Sequence, residues 1–191
     1  MQVFGQAKYK NALLKIYNKK TDMTAVKAPS PWVKTHYSNI AAGGSVLDLA
    51  CGSGRHTCFL QEKGYQLTAV DRDITALHEA DLSGVNLRQA DLEDGPWPFE
   101  GELFEGIIVV NYLWRPLFSK LIESLTPGGV LIYDTFCLGN EAYGRPKNPD
   151  FLLRPGELKT AFSDLTCLEF NEGLIENPAP AVRQSIVARK P

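Results

Sequence analysis

Residues 46–57 read VLDLACGSGRHT. An apolar run of strand character carries an acid, Asp48, and gives way to small residues at 50, 52 and 54. Residues suited to the first turn of a helix follow at once. In an open α/β sheet, ligands bind outside the carboxyl ends of the strands, at such a strand-turn-helix join. Small residues there let a ligand lie against the backbone, and the start of the helix offers unpaired N–H groups. The stretch therefore predicts a ligand seat at the tip of the first core strand.

Outward from this join, apolar blocks of strand length alternate with helical stretches. Strands are expected at 45–49, 66–71, 85–90, 106–111, 129–135, 165–171 and 181–188, several of them apolar on successive residues, as strands covered on both faces are. Helices are expected at 55–63, 73–80 and 115–125, the last stopped by Thr126-Pro127-Gly128-Gly129. Strand and helix in alternation imply an α/β fold with a doubly wound, mostly parallel seven-stranded sheet of Rossmann-like type. The polar segment 137–156, rich in Pro and Gly, follows a core strand and suits a functional loop.

The 191 residues, 44% hydrophobic and 22% charged, suffice for one core. Residues 35–191 are expected to form one domain, with 1–34 a basic arm or lid belonging to it. That arm holds seven lysines and one acid, Asp22, whereas the whole chain has a net charge of −2. The overall charge argues against a broad nucleic-acid footprint, although the arm leaves such a partner open. No apolar run is long enough for a membrane span, and the first residues lack the pattern of a signal peptide, so a cytoplasmic location is expected. Cys51, Cys58, Cys137 and Cys167 have neither the spacing of a zinc site nor that of a disulfide framework, and no metal is expected.

Two later acids sharpen the ligand. The second strand ends at Asp71, placed to accept the hydroxyls of a ribose lying over the glycine turn, and the third leads to Asp91, placed to accept from an adenine amine. With Asp48 they describe a bound adenosine. A dinucleotide fingerprint would carry a third glycine where Thr57 stands. A carboxylate at Asp48 also sits badly beside a pyrophosphate and well beside the amino group and sulfonium of S-adenosylmethionine.

The order of these segments resembles the class I S-adenosylmethionine-dependent methyltransferases. VLDLACGSG resembles the family's first motif, with Ala50 in the first glycine position. AVDRD, ADLED, NYLW and LTPGGVLIY resemble the motifs that follow, over roughly residues 40–135. ACGSGRHT, DLEDGPWPF, NYLWRPLF and NPDFLLRPGEL are similar, more narrowly, to small bacterial methyltransferases described as tellurite-resistance-like. The resemblance implies that Asp48, Ala50, Cys51, Gly52 and Gly54 hold the methionine part of the cofactor, with Arg55 and His56 at the start of the helix. It implies Asp71 at the ribose and Asp91 with Leu92 at the adenine, with Arg72 and Asn111 also among the cofactor-binding residues.

The acceptor would meet the tip of the fourth strand and the loop after the fifth. Asn111 and Tyr112 are the catalytic candidates, with Tyr112 and Glu141 the candidate bases. Tyr112, Trp114, Arg115, Tyr143 and Arg145 are the substrate candidates, joined by Arg154 as a possible anion clamp. The prolines that follow this tip in amine-methylating relatives are missing, which argues against a nucleobase amine. A small molecule or inorganic anion leads as acceptor. RNA or protein methylation, and binding without turnover, remain open.

Overall fold

The computed structural model describes residues 28–79 and 82–191. Residues 1–27 of the basic arm lie outside them. The elements are α1 Pro31–His36, β1 Ser45–Leu49, α2 Arg55–Glu62, β2 Gln66–Asp71, α3 Thr75–Glu79, β3 Asn86–Gln89, β4 Phe104–Val110, α4 Phe118–Glu123, β5 Leu125–Phe136, α5 Glu157–Ala161, β6 Thr166–Ile175 and β7 Ala181–Arg189.

The strands form one sheet in the order β3-β2-β1-β4-β5-β7-β6. β1 pairs in parallel with β2 on one side and β4 on the other, and β2–β3 and β4–β5 are parallel too. β7 runs antiparallel to both β5 and β6. The sheet is thus doubly wound and mostly parallel. The strand order reverses beside β1, which makes the carboxyl ends of β1 and β4 the switch point at which such sheets open a crevice.

Alternation along the strands explains the two layers of core. Leu47, Leu49, Ile107, Val109 and Leu131 face one side, packed with Leu121 of α4 and Leu158 of α5. Val46, Ile108, Val110, Val130 and Ile132 face the other, against Val33 of α1 and Leu60 of α2. Of the arm, residues 28–34 are described. Ser30 caps α1 by accepting from the Trp32 N–H, and Val33 is fully buried.

Several expected bounds shift. The expected helix 115–125 is a 3-10 turn, Arg115–Leu117, followed by the six-residue α4, and β5 already includes Thr126-Pro127-Gly128-Gly129. Phe104 pairs with Leu125 and Gly106 with Val130, so the proline and glycines bulge out of the ladder. β4 ends at Val110, not at Asn111, which has left-handed backbone at φ 58°. β6 runs on to Ile175 because β7 pairs with it along its length.

Candidate functional site

The glycine turn is built around Asp71. The Gly52 N–H donates to Asp71 Oδ2 at 2.8 Å, and the Asp73 N–H donates to Oδ1 at 3.1 Å. One carboxylate therefore ties the tip of β2 to the turn after β1. Ala50 and Gly52 have φ of 51° and 55° and Gly54 has 79°. Left-handed backbone costs a residue with a Cβ about 1–2 kcal/mol, and Ala50 carries that strain at the switch point. Gly54 has a packing reason as well: an added Cβ would stand 2.3 Å from Leu77 Cδ2. An added Cβ at Gly52 would meet nothing within 4 Å.

Asp48 lies beneath this turn, at 1% exposure, and is absent from the wall of the adjoining cleft. The Thr57 hydroxyl donates to its Oδ2 at 2.6 Å. Burial raises the Asp48 pKa to about 6, against the lowering effect of the Thr57 bonds. Thr57, where a dinucleotide fingerprint has glycine, thus anchors the acid of the first motif. Cys51 is buried next to it, and burial pushes its thiol well above the usual range.

A cleft of about 660 Å³ opens along the strand tips, lined by Ala50, Asp71, Arg72, Asp91, Leu92 and Tyr112 among others. Its volume lies within the range of small-molecule sites. Asp71 and Asp91 stand on adjacent tips, and Leu92 supplies a buried apolar contact. The Asp91 Oδ1 accepts from the Glu93 N–H at 2.9 Å, which fixes that loop. Carboxylate acceptors, an apolar wall and a left-handed turn suit a nucleoside.

Tyr112 stands where this cleft meets a second space. A chamber of about 230 Å³ shares Glu93, Tyr112 and Phe151 with the cleft and adds Asn111, Leu113, Thr135, Phe136 and Pro146. The Tyr112 hydroxyl is buried and makes no hydrogen bond among the described residues. Burial, then the charges of Glu93, Asp91 and Asp71, pushes its pKa upward. The phenol accordingly keeps its proton at neutral pH. Tyr112 is suited to donate or to pack, not to act as a base. Glu141 is exposed and accepts from the Gly139 N–H at 2.8 Å, closing a loop turn.

Beyond Asn111 lies a buried polar network centred on Asp134 of β5. Arg183 Nε donates to Asp134 Oδ1 at 2.8 Å, the Ser185 hydroxyl to the same oxygen at 2.9 Å, and the Ser30 hydroxyl to Oδ2 at 2.7 Å. Arg183 Nη2 donates to Asn111 Oδ1 at 2.8 Å, and the guanidinium lies 4.4 Å from the Phe136 ring centroid. The strand register explains the cluster. Asp134 pairs with Ser185 and Phe136 with Arg183, so alternate residues of both strands share one face. The Ser30 N–H also donates to His56 Nε2 at 3.1 Å, and burial, with the nearby Arg55 charge, lowers the His56 pKa to about 3.

Arg183 and Glu93 are the residues that the sequence reading missed. A signal existed for the first: Arg183-Gln184-Ser185 interrupts an otherwise apolar strand, and all three are buried. Buried polar groups in a core strand require partners. Glu93 had no comparable signal, being one of several acids after β3.

The other expected substrate residues separate into two sets. Arg115 forms a fork on Glu157 at 2.6 and 2.9 Å and donates to the carbonyls of Asp150 and Leu152. Its guanidinium anchors the loop. Arg154 lies at that loop's exposed end, where its own N–H donates to Glu157. Trp114 lines the cleft. Tyr143 and Arg145 line a third space of about 230 Å³, together with Arg55, Asn111, Asp134 and Arg183. The loop that carries them is shaped by Asn140, which donates to the Arg145 carbonyl and accepts from the Val182 N–H, and by Asn148, which accepts from the Asp150 N–H.

Residues 46–129 match the model of a family described as methyltransferase domain. The chain is 31% identical over 103 residues to malonyl-[acyl-carrier protein] O-methyltransferase of Salmonella typhimurium, covering 50% of this chain and 40% of that protein. It is 26% identical over 117 residues to the putative methyltransferase YqeM of Bacillus subtilis, covering 54% and 47%. The chain thus spans less than half the length of these curated relatives. Among solved structures, TehB from Haemophilus influenzae superposes with a TM-score of 0.67 at 20% identity, covering 92% of this chain and 66% of that one. The 1,6-didemethyltoxoflavin-N1-methyltransferase of Burkholderia thailandensis, solved with 1,6-didemethyltoxoflavin and S-adenosylhomocysteine, gives 0.64 at 16% identity, covering 100% and 92%. These likenesses establish the fold.

Proposed function

We propose that this chain, whose residues 46–129 match a methyltransferase-domain family, is a class I S-adenosylmethionine-dependent enzyme that transfers a methyl group to a small-molecule acceptor held beside Asn111 and Tyr112. The observation that carries this reading is the shared wall. Tyr112 lines both the cleft suited to a nucleoside and the chamber next to it, so its ring borders both a cofactor and an acceptor placed there.

Bound there, S-adenosylmethionine would supply a methyl group already activated on a sulfonium, which an acceptor's electron pair can take directly. Asp71 and Asp91 would hold the ribose and adenine, with Leu92 against the base. The chain's own task is then to orient the acceptor and exclude water. The Tyr112 ring offers an aromatic face to a cation. Asn111, its amide oxygen held by Arg183, keeps an amide nitrogen that makes no hydrogen bond among the described residues and suits an acceptor oxygen. With Tyr112 held neutral, the site suits an acceptor that arrives already deprotonated or sheds its proton to solvent.

A transfer screen with labelled S-adenosylmethionine against small thiols, amines, carboxylic acids, chalcogen oxyanions and total RNA tests this reading. It predicts label on a small molecule. Label confined to RNA or protein, or cofactor binding with no acceptor in any class, would contradict it.

A further inference from the structure

The spaces beyond the cofactor cleft are segregated by charge. The cleft side carries Asp71, Asp91, Glu93 and Asp94 against Arg72. The far chamber carries Arg55, Arg145 and Arg183 against Asp134. The middle chamber borders both, sharing Tyr112 and Glu93 with the cleft and Asn111 and Phe136 with the far chamber, and its remaining wall is mainly apolar.

Resting on the methyltransferase reading, we propose that the acceptor is an organic anion with two separated ends. Its carboxylate-class group lies among Arg55, Arg145 and Arg183, an apolar body crosses Phe136, and its nucleophile stands beside Asn111 and Tyr112.

Two observations carry this. First, Asp134 already has Arg183, Ser185 and Ser30 as donors, so it is matched by one of the three guanidiniums. Arg145's guanidinium makes no hydrogen bond or ion pair among the described residues, and Arg55's bonds only the Ala28 carbonyl, at 3.3 Å. Burial and then the facing charge of Arg183 lower the Arg55 pKa, so an anion between them relieves a like-charge contact. Second, the middle and far chambers hold about 230 Å³ each, and an ion of three or four oxygens fills only part of one. A longer molecule passing Phe136, which lines both, occupies more of the two.

The probes are 4-mercaptobenzoate and its neutral isostere 4-mercaptobenzamide, with 4-(methylthio)benzoate and its amide as unreactive binding partners. The reactive probes lose a proton to buffer and react as thiolates. The sulfur pair forms the new bond to the methyl carbon, and the broken C–S pair leaves on S-adenosylhomocysteine. In calorimetry with S-adenosylhomocysteine present, the methylthio acid is expected to bind about tenfold more tightly than its amide, the equivalent of one charge-assisted contact. The same ratio is expected in kcat/KM for the thiols. Arg145→Leu should shrink both ratios to about threefold or less, and Arg55→Leu combined with it should abolish them. Equal binding of acid and amide, or a preference that survives both substitutions, overturns the anion site, whether or not turnover is seen. Failure to bind S-adenosylhomocysteine would instead overturn the methyltransferase reading.

Discussion

Asp48 and His56 are buried on either side of the same turn, and their proton equilibria pull stability in opposite directions. His56 has a folded pKa of about 3, below the ordinary 6.5. The unfolded chain therefore gains the proton first, and stability falls as pH drops through the window from 6.5 toward 3. Asp48 has a folded pKa of about 6, above the ordinary 3.8. The folded chain takes that proton first, so stability rises as pH falls through 6 toward 4. Between pH 7 and 5 the His56 effect is a loss of about 2 kcal/mol and the Asp48 effect a gain of about 1 kcal/mol. Urea unfolding across that range should show a small net loss for the native chain, a steeper loss for Asp48→Asn and a gain for His56→Gln. Parallel profiles for all three would mean that neither group is desolvated as described. The sequence marked Asp48, Asp71 and Asp91 because strand tips are visible in a periodic pattern. It did not separate the buried Asp48 from the two acids on the cleft wall, because that depends on Thr57 reaching back across the turn. It singled out neither Arg183 nor Glu93, whose places come from strand register and loop path.

At the scale of elements, the strands were legible and the ends of the helices were not. Parallel strands covered on both faces, such as β1 and β4, leave a hydropathy signal that short helices do not. The stretch Leu125 to Gly129 looked like a helix stop and is the start of a bulged strand, since Leu125 pairs with Phe104 before the register shifts. The segment 137–156 is a loop as expected, yet it is built with core contacts. Leu152 and Leu153 are buried, and Cys137 bridges to Leu153. Arg115 holds this segment through Glu157 and two carbonyls. Arg115→Ala should remove about 1–2 kcal/mol, the range for charge-assisted bonds that are partly solvated. It should also speed amide hydrogen exchange at Leu152 and Leu153 more than in β4. Unchanged exchange there would show that the loop is held by its buried leucines alone.

For the molecule as a whole, one sheet brings the tips of β1 to β5 to a single edge, and that edge runs from carboxylates beside β2 and β3 to guanidiniums beside β5 and β7. Among the described residues no helix is long and apolar enough to cross a membrane. The central claim is that the acid-lined end of this edge holds an adenosyl sulfonium cofactor and not a dinucleotide. Calorimetric titration of the full chain with S-adenosylmethionine, S-adenosylhomocysteine and NAD tests it most directly, with Asp71→Ala as the paired variant. The account predicts one site for each of the first two ligands, no binding of NAD, and a loss of about 10- to 100-fold in affinity for Asp71→Ala, as expected for one or two charge-assisted bonds. Binding of NAD, or affinity for S-adenosylmethionine unchanged by Asp71→Ala, would contradict it.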